Sequence, residues 1–165
     1  KLKDFEVLDW HDAMRDYGCD KPDLRFPLKL VEISDLVKDE EFKVFAEPAK
    51  DKNSRVVVLK IPGGNSLSRG QIDDYTKFVS KLGAKGLAYI KVNDKSDLEN
   101  GLQSPILKFL KSETISALIN DLELENDDLL FFPFHKNHCI FPLLYTLFFF
   151  VLTHFSIIIN DFFVL

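Results

Sequence analysis

Arg55-Val56-Val57-Val58-Leu59-Lys60-Ile61-Pro62-Gly63-Gly64-Asn65 is the stretch on which the fold turns. Its β-branched, largely apolar residues predict a strand, which Pro62-Gly63-Gly64-Asn65 stops. Upstream, Phe42-Lys43-Val44-Phe45-Ala46 reads as another strand. The run Pro48 to Asn53 between them has turn chemistry, so the two are expected to pair as a hairpin. Downstream, Ser68 to Leu82 predicts an amphipathic helix, because Ser68 and Gln71 can form a capping box and Ile72, Tyr75, Phe78, Val79 and Leu82 share a face. Gly83 ends it.

Farther out, Leu87 to Val92 predicts a third strand and Asp128 to Phe132 a fourth. Ser104-Pro105 opens a short helical turn. Ser112 is expected to cap a helix whose apolar face is Ile115, Leu118, Ile119 and Leu122. Near the N-terminus, Asp9 is the expected N-cap of a short helix through Tyr17, with Gly18 following in positive φ and Cys19 to Phe26 forming an ordered loop. The order β-β-α-β-α-β, with hairpin-type connections and helices on one face, argues for an α+β fold: a two-layer domain with a mainly antiparallel sheet.

Composition divides the chain sharply. Up to about Phe132 charged, apolar and turn-forming residues are mixed as in a globular domain. From Phe131 to Leu165 the only charged residues are Lys136 and Asp161, and 10 of the chain's 16 Phe lie there. The formal net charge of −5 therefore belongs to the first part, which argues against nucleic-acid binding by bulk charge and leaves only a local patch for RNA. Cys19 and Cys139 form no spaced pair, and no leader-like segment opens the chain, so a reducing, cytoplasmic setting is expected, or an organellar one in a eukaryote. A start at Lys1 without Met suggests a fragment.

Several runs, taken in order, resemble bacterial-type aspartyl-tRNA synthetases: Tyr17-Gly18-Cys19-Asp20-Lys21-Pro22-Asp23-Leu24-Arg25, Pro62-Gly63-Gly64, Ser68-Arg69-Gly70-Gln71-Ile72-Asp73 and Gly83-Ala84-Lys85-Gly86. Glu41 to Phe45, Leu87 to Val92 and Gly101 to Pro105 extend the likeness, which covers about Leu2 to Phe132. It implies a catalytic-domain boundary segment over 1–30, a GAD insertion domain over 31–132 with β-β-α-β-β-α order, and a tail over 133–165. The family's usual Ser before the Asp-Lys pair is Cys19 here. The parent enzyme uses ATP and magnesium, binds tRNA(Asp) and forms homodimers. Its arginine-bearing and Gly-rich ATP motifs have no counterpart in this sequence, so no catalytic, cofactor-binding or metal residue is assigned. Tyr17, Gly18, Asp20, Lys21, Pro22, Asp23, Arg25, Pro62, Gly63, Gly64, Gly83, Lys85 and Gly86 form a structural fingerprint.

Each sharper site reading has a plainer competitor. Gly63-Gly64 between strand and helix suggests a phosphate cradle, but a structural turn accounts for it without further motif. His135, His138 and Cys139 are zinc-ligand types, but a structural zinc needs a full tetrahedral set. Lys77, Lys81 and Lys85 recur at helical spacing and are the RNA-facing candidates, against a solvated face and favourable charge at a helix C-terminus. Asp20, Lys21, Asp23 and Arg25 suggest an ion-pair network that fixes the boundary loop.

The tail carries 21 uncharged residues from Cys139 to Ile159, enough for the roughly 20 that cross a bilayer. Pro142, His154 and the scarcity of flanking Lys and Arg count against a membrane segment, and the abrupt end of the likeness near Phe132 with a Phe-, Leu- and Ile-rich composition favours translation of T-rich DNA out of frame, or through an intron. The expectation is thus a fragment of an aspartate–tRNA ligase that does not aminoacylate alone. The alternative is an isolated module acting as a tRNA- or protein-binding adaptor, tethered to a membrane if the tail is genuine.

Overall fold

The computed structural model describes residues 7–24, 28–52, 54–98 and 100–134. Helix α1 (Trp10–Tyr17) precedes β1 (Leu30–Glu32), then α2 (Ser34–Val37), α3 (Lys43–Lys50), β2 (Val57–Ile61), α4 (Arg69–Lys81), β3 (Gly86–Val92), β4 (Leu102–Gln103), α5 (Ser112–Asp121) and β5 (Leu129–Phe134). The strands form one sheet in the order β1-β2-β5-β3-β4, and every neighbouring pair is antiparallel. The α+β class and the antiparallel sheet expected from the sequence hold. If α2 and α3 are counted as an elaboration of the β1–β2 connection, the chain runs β-β-α-β-β-α before β5.

The chain's last described strand is the sheet's middle one. β5 pairs with β2 through Leu59↔Phe131 and with β3 through Ala88↔Phe132 and Tyr89↔Phe131. Pro133 sits beyond the last rung shared with β2, where β5 pairs with β3 alone. There the strand is locally an edge, and a residue without an N–H is tolerated.

Successive residues of a strand point to opposite faces, so the sheet sorts the apolar residues into two cores. On one face Val57, Leu59, Ile61, Leu129 and Phe131 pack with Ile72, Tyr75 and Val79 of α4. On the other, Val58, Ile90, Leu130 and Phe132 pack with Ile33, Val37, Phe45, Ile115 and Leu118, which come from β1's end, α2, α3 and α5. The expected placement of all helices on one face is therefore corrected. The signal was in the strands: Val56 to Leu59 and Leu129 to Phe132 are unbroken apolar runs, the pattern of strands covered on both faces.

The expected strand at Phe42 to Ala46 is helix α3, and with it the expected hairpin falls away. Phe42, Phe45, Ala46 and Ala49 recur at i, i+3, i+4 and i+7. Phe45 and Ala46 are buried and Phe42 and Ala49 partly so, while Val44 points to solvent. Helical burial thus overrides the strand preference of a short Phe-Lys-Val-Phe run. β2 takes as its partner β1, a three-residue edge strand too short to stand out in the sequence.

The caps of α1 and α4 are as the sequence predicts. Asp9 accepts from the N–H of His11 (2.8 Å), and Gly18 follows at φ 71°. Ser68 Oγ accepts from Gln71 N–H while Gln71 Oε1 accepts from Ser68 N–H (2.8 Å). The cap of α5 is different. Ser112 is its first helical residue and not its cap; Lys111 holds the N-cap position, and the acceptor is the buried carboxylate of Glu40.

Candidate functional site

Two regions carry the sequence's candidate residues: the boundary segment around α1, and the turns at the two ends of α4. In the boundary segment Ala13 and Tyr17 are buried, and α1 lies beside β1. Arg15 bridges Asp12 (2.6 Å) and Asp16 (2.7 Å), Lys29 reaches Asp16 (3.4 Å) and lies 5.5 Å from the Tyr17 ring centroid, and Arg55 Nη1 donates to the Arg15 carbonyl (3.1 Å). Exposed ion pairs of this kind contribute about 0–1 kcal/mol each. Burial of Ala13 and Tyr17 holds the helix; the charges set its register.

Ionisation follows the same geometry. Partial burial pushes the Asp16 carboxyl up, but hydrogen bonds and charge from Arg15 and Lys29 outweigh it and leave Asp16 below its ordinary value. A depressed folded value means stabilisation that is present above the unfolded carboxylate value of about 3.9 and lost as pH falls through the folded one. Acidification is therefore expected to loosen α1 from β1 in that window. Fluorescence of Trp10, the chain's single Trp, should report a transition on acidification that Asp16→Asn removes; an identical acid transition in the variant would assign the effect elsewhere.

Asp12, Arg15, Asp16 and Lys29 form a charged network one turn before the group Asp20, Lys21, Asp23 and Arg25. Asp20 and Lys21 are exposed, and Arg25 lies outside the described residues. Burial, then the charge of Asp20, pushes the Cys19 thiol up against a hydrogen bond from the Lys21 backbone, which makes it a poor nucleophile at neutral pH.

At the far end of β2, Gly63 sits at φ 68° and Gly64 is buried. A Cβ on Gly64 would lie 2.7 Å from Leu129 Cβ and 2.9 Å from Ile61 Cγ2. The Asn65 amide donates to the Asp127 carbonyl (2.9 Å), which ties this turn to the segment just before β5. Gly63-Gly64 is a structural turn: one glycine for a left-handed backbone, one for the close approach of β5. Gly64→Ala is expected to destabilise the fold by about 1–3 kcal/mol through overpacking, read as a lower urea midpoint; an unchanged midpoint would mean the turn is not tight.

Gly83, at φ 94°, follows α4, and Gly86 begins β3. Since Gly86 pairs with Phe134 while Lys91 and Ile61 both pair with Leu129, the Pro62-Gly63-Gly64 turn and the Gly83-Lys85-Gly86 turn lie at opposite ends of the sheet. The fingerprint residues do not converge on one site. Lys77 is held by Asp74 (3.0 Å), which raises its ammonium above the ordinary value, and Lys81 and Lys85 are exposed near the end of α4.

Two lysines that no site reading of the sequence singled out, Lys60 and Lys91, tie strands to helix ends. Lys60 Nζ donates to the carbonyls of Leu122 (2.9 Å) and Glu123 (3.1 Å) at the end of α5, and Lys91 Nζ donates to those of Asn65 (2.8 Å) and Leu67 (2.6 Å) before α4. A Lys inside an otherwise apolar strand is the signal that marks both.

Among the described residues no three His, Cys, Asp or Glu side chains group as metal donors, and no helix is long and apolar enough to cross a membrane. His135, His138, Cys139 and the apolar tail lie outside the described residues. The family model of the GAD domain matches residues 45–141, more than half of the chain. The match runs past Phe132, where the likeness was expected to stop, and takes in the first residues of the apolar tail.

Proposed function

The chain belongs to the GAD domain family, and from that premise we propose that it is part of an aspartate–tRNA ligase, contributing the insertion domain and not the chemistry. The GAD domain is an insertion domain of aminoacyl-tRNA synthetases, which ties the chain to translation. The family match carries this reading. The run Tyr17-Gly18-Cys19-Asp20-Lys21-Pro22-Asp23 favours the aspartate enzyme, because it stands just before the sheet, where the resemblance places the end of a catalytic-domain segment.

In this reading ATP, magnesium, aspartate and tRNA(Asp) are bound by the rest of a homodimeric enzyme in the cytoplasm or an organelle. The chain's own part is to present a rigid two-cored module at a fixed angle to its boundary helix. Aspartate-dependent ATP–pyrophosphate exchange tests it: the chain alone is expected to give none, and exchange above background would overturn the non-catalytic assignment. Genomic sequence flanking the chain's coding region is expected to encode the arginine-bearing and Gly-rich motifs in frame; their absence would overturn the ligase assignment. Salt-dependent tRNA binding by the chain alone, weakened by charge removal at Lys81 and Lys85, would favour the adaptor reading instead.

A further inference from the structure

Asn100-Gly101 is the only Asn-Gly pair in the chain. In a free peptide this is the dipeptide that deamidates most readily, because glycine leaves its amide nitrogen open to the Asn carboxamide. The Gly101 nitrogen attacks Asn100 Cγ and gives up its proton, the new N–Cγ bond replaces Cγ–Nδ2, and ammonia leaves. Water then opens the cyclic imide at either carbonyl, giving aspartate or isoaspartate.

The fold holds both the nucleophile and the leaving amide of that reaction. Gly101 N–H donates to the Asp97 carbonyl (2.8 Å), and the Gly101 carbonyl accepts from Asn93 N–H (2.7 Å) and Asp94 N–H (2.9 Å). Asn100 N–H donates to Asp97 Oδ1 (3.0 Å) and its carboxamide Nδ2 to Asp97 Oδ2 (3.3 Å). Gly101 is buried, and a Cβ there would lie 1.9 Å from the Asp94 carbonyl oxygen, so the loop backbone closes tightly around it. The exposed Asn100 side chain is reachable by water and base, but its nucleophile is not free.

We propose that Asn100 is a deamidation site open only to chains in which the clasp of Asp97 on Asn100 and Gly101 has come undone, so that modification records and locks in unfolding. An isoaspartyl bond adds a carbon to the main chain immediately before Gly101. That displaces Gly101 from its three hydrogen bonds and shifts β4 out of register with β3, where Val92 pairs with Leu102 and Lys91 with Gln103.

The test is peptide mass spectrometry at Asn100 after incubation of the full chain at mildly alkaline pH, in buffer and in urea. Deamidation in buffer is expected to be at least about tenfold slower, since it proceeds only through the opened fraction. Equal rates would overturn the proposal. Asp97→Ala, which frees the Asn100 side chain while the Asp97 carbonyl still holds the Gly101 amide, is expected to raise the rate in buffer several-fold without changing it in urea; no change in buffer would overturn the part assigned to the Asp97 side chain. Should that variant not fold, the unsubstituted chain aged in urea and then diluted decides: isoaspartyl chains are expected only in the non-native fraction, and their recovery in the native fraction would overturn the locking step.

Discussion

Phe131→Ala and Phe132→Ala are each expected to cost about 3–5 kcal/mol, a large part of the roughly 5–15 kcal/mol that holds a domain together. Both rings are fully buried in the central strand, yet they lie in different cores. Phe131 packs on Tyr75 at 5.6 Å between ring centroids, and Phe132 on Phe45 at 5.4 Å. Beyond the shared global loss, the two variants should therefore differ in where the native state opens. Amide exchange should rise first in α4 for Phe131→Ala and in α2 and α3 for Phe132→Ala. Two variants that loosen the same helices would contradict the separation of the cores by the sheet.

What the sequence disclosed and withheld follows from the range over which each feature is decided. Asp9, Gly18 and the Ser68-Gln71 box act within a few residues of themselves, so their caps were readable directly. β2 and β3 were readable because their apolar runs are long enough to exclude other readings. The Phe42 to Ala46 segment was not: five residues fit a strand, and only Ala49, beyond the window, reveals the helical repeat. β5 was legible as a strand but not as the central one, because strand order is set by pairing with Leu59 and Ala88, distant in sequence. The same holds for the candidate residues. Gly63-Gly64 could be weighed as a turn, but what fills the space beside Gly64 is Leu129, and no local pattern names it. The unbroken run Leu129 to Phe132 carries the two-faced core, whereas hairpin-like spacing alone points to a one-faced sheet.

Glu40→Ala is expected to destabilise the chain by about 2–4 kcal/mol, although nothing near Glu40 in sequence advertises a role. Its carboxylate is buried, accepts from the Lys111 amide (3.1 Å) at the start of α5, and takes a short hydrogen bond from the Thr114 hydroxyl, itself buried. Lys111 Nζ reaches back to the Asp39 carbonyl (2.9 Å), so the α2–α3 connection and the first turn of α5 are joined by both chains of atoms. Losing a side-chain cap costs about 0.5–2 kcal/mol. Leaving the buried Thr114 hydroxyl without that acceptor adds about 1–3 kcal/mol. The negative charge also faces the positive end of the helix, a favourable placement that alanine forfeits. Glu40→Gln, which keeps one oxygen to accept but turns an amide toward a donor, should recover part of the loss. Ser112→Ala, at the residue whose type invites assignment as the cap, should stay within about 0.5 kcal/mol, because Ser112 is the first residue inside the helix and Lys111 holds the cap position. Urea midpoints at constant slope rank the three variants. A larger loss from Ser112→Ala than from Glu40→Ala would return the cap to the helix's own sequence, and with it the independence of α5 from the α2–α3 connection.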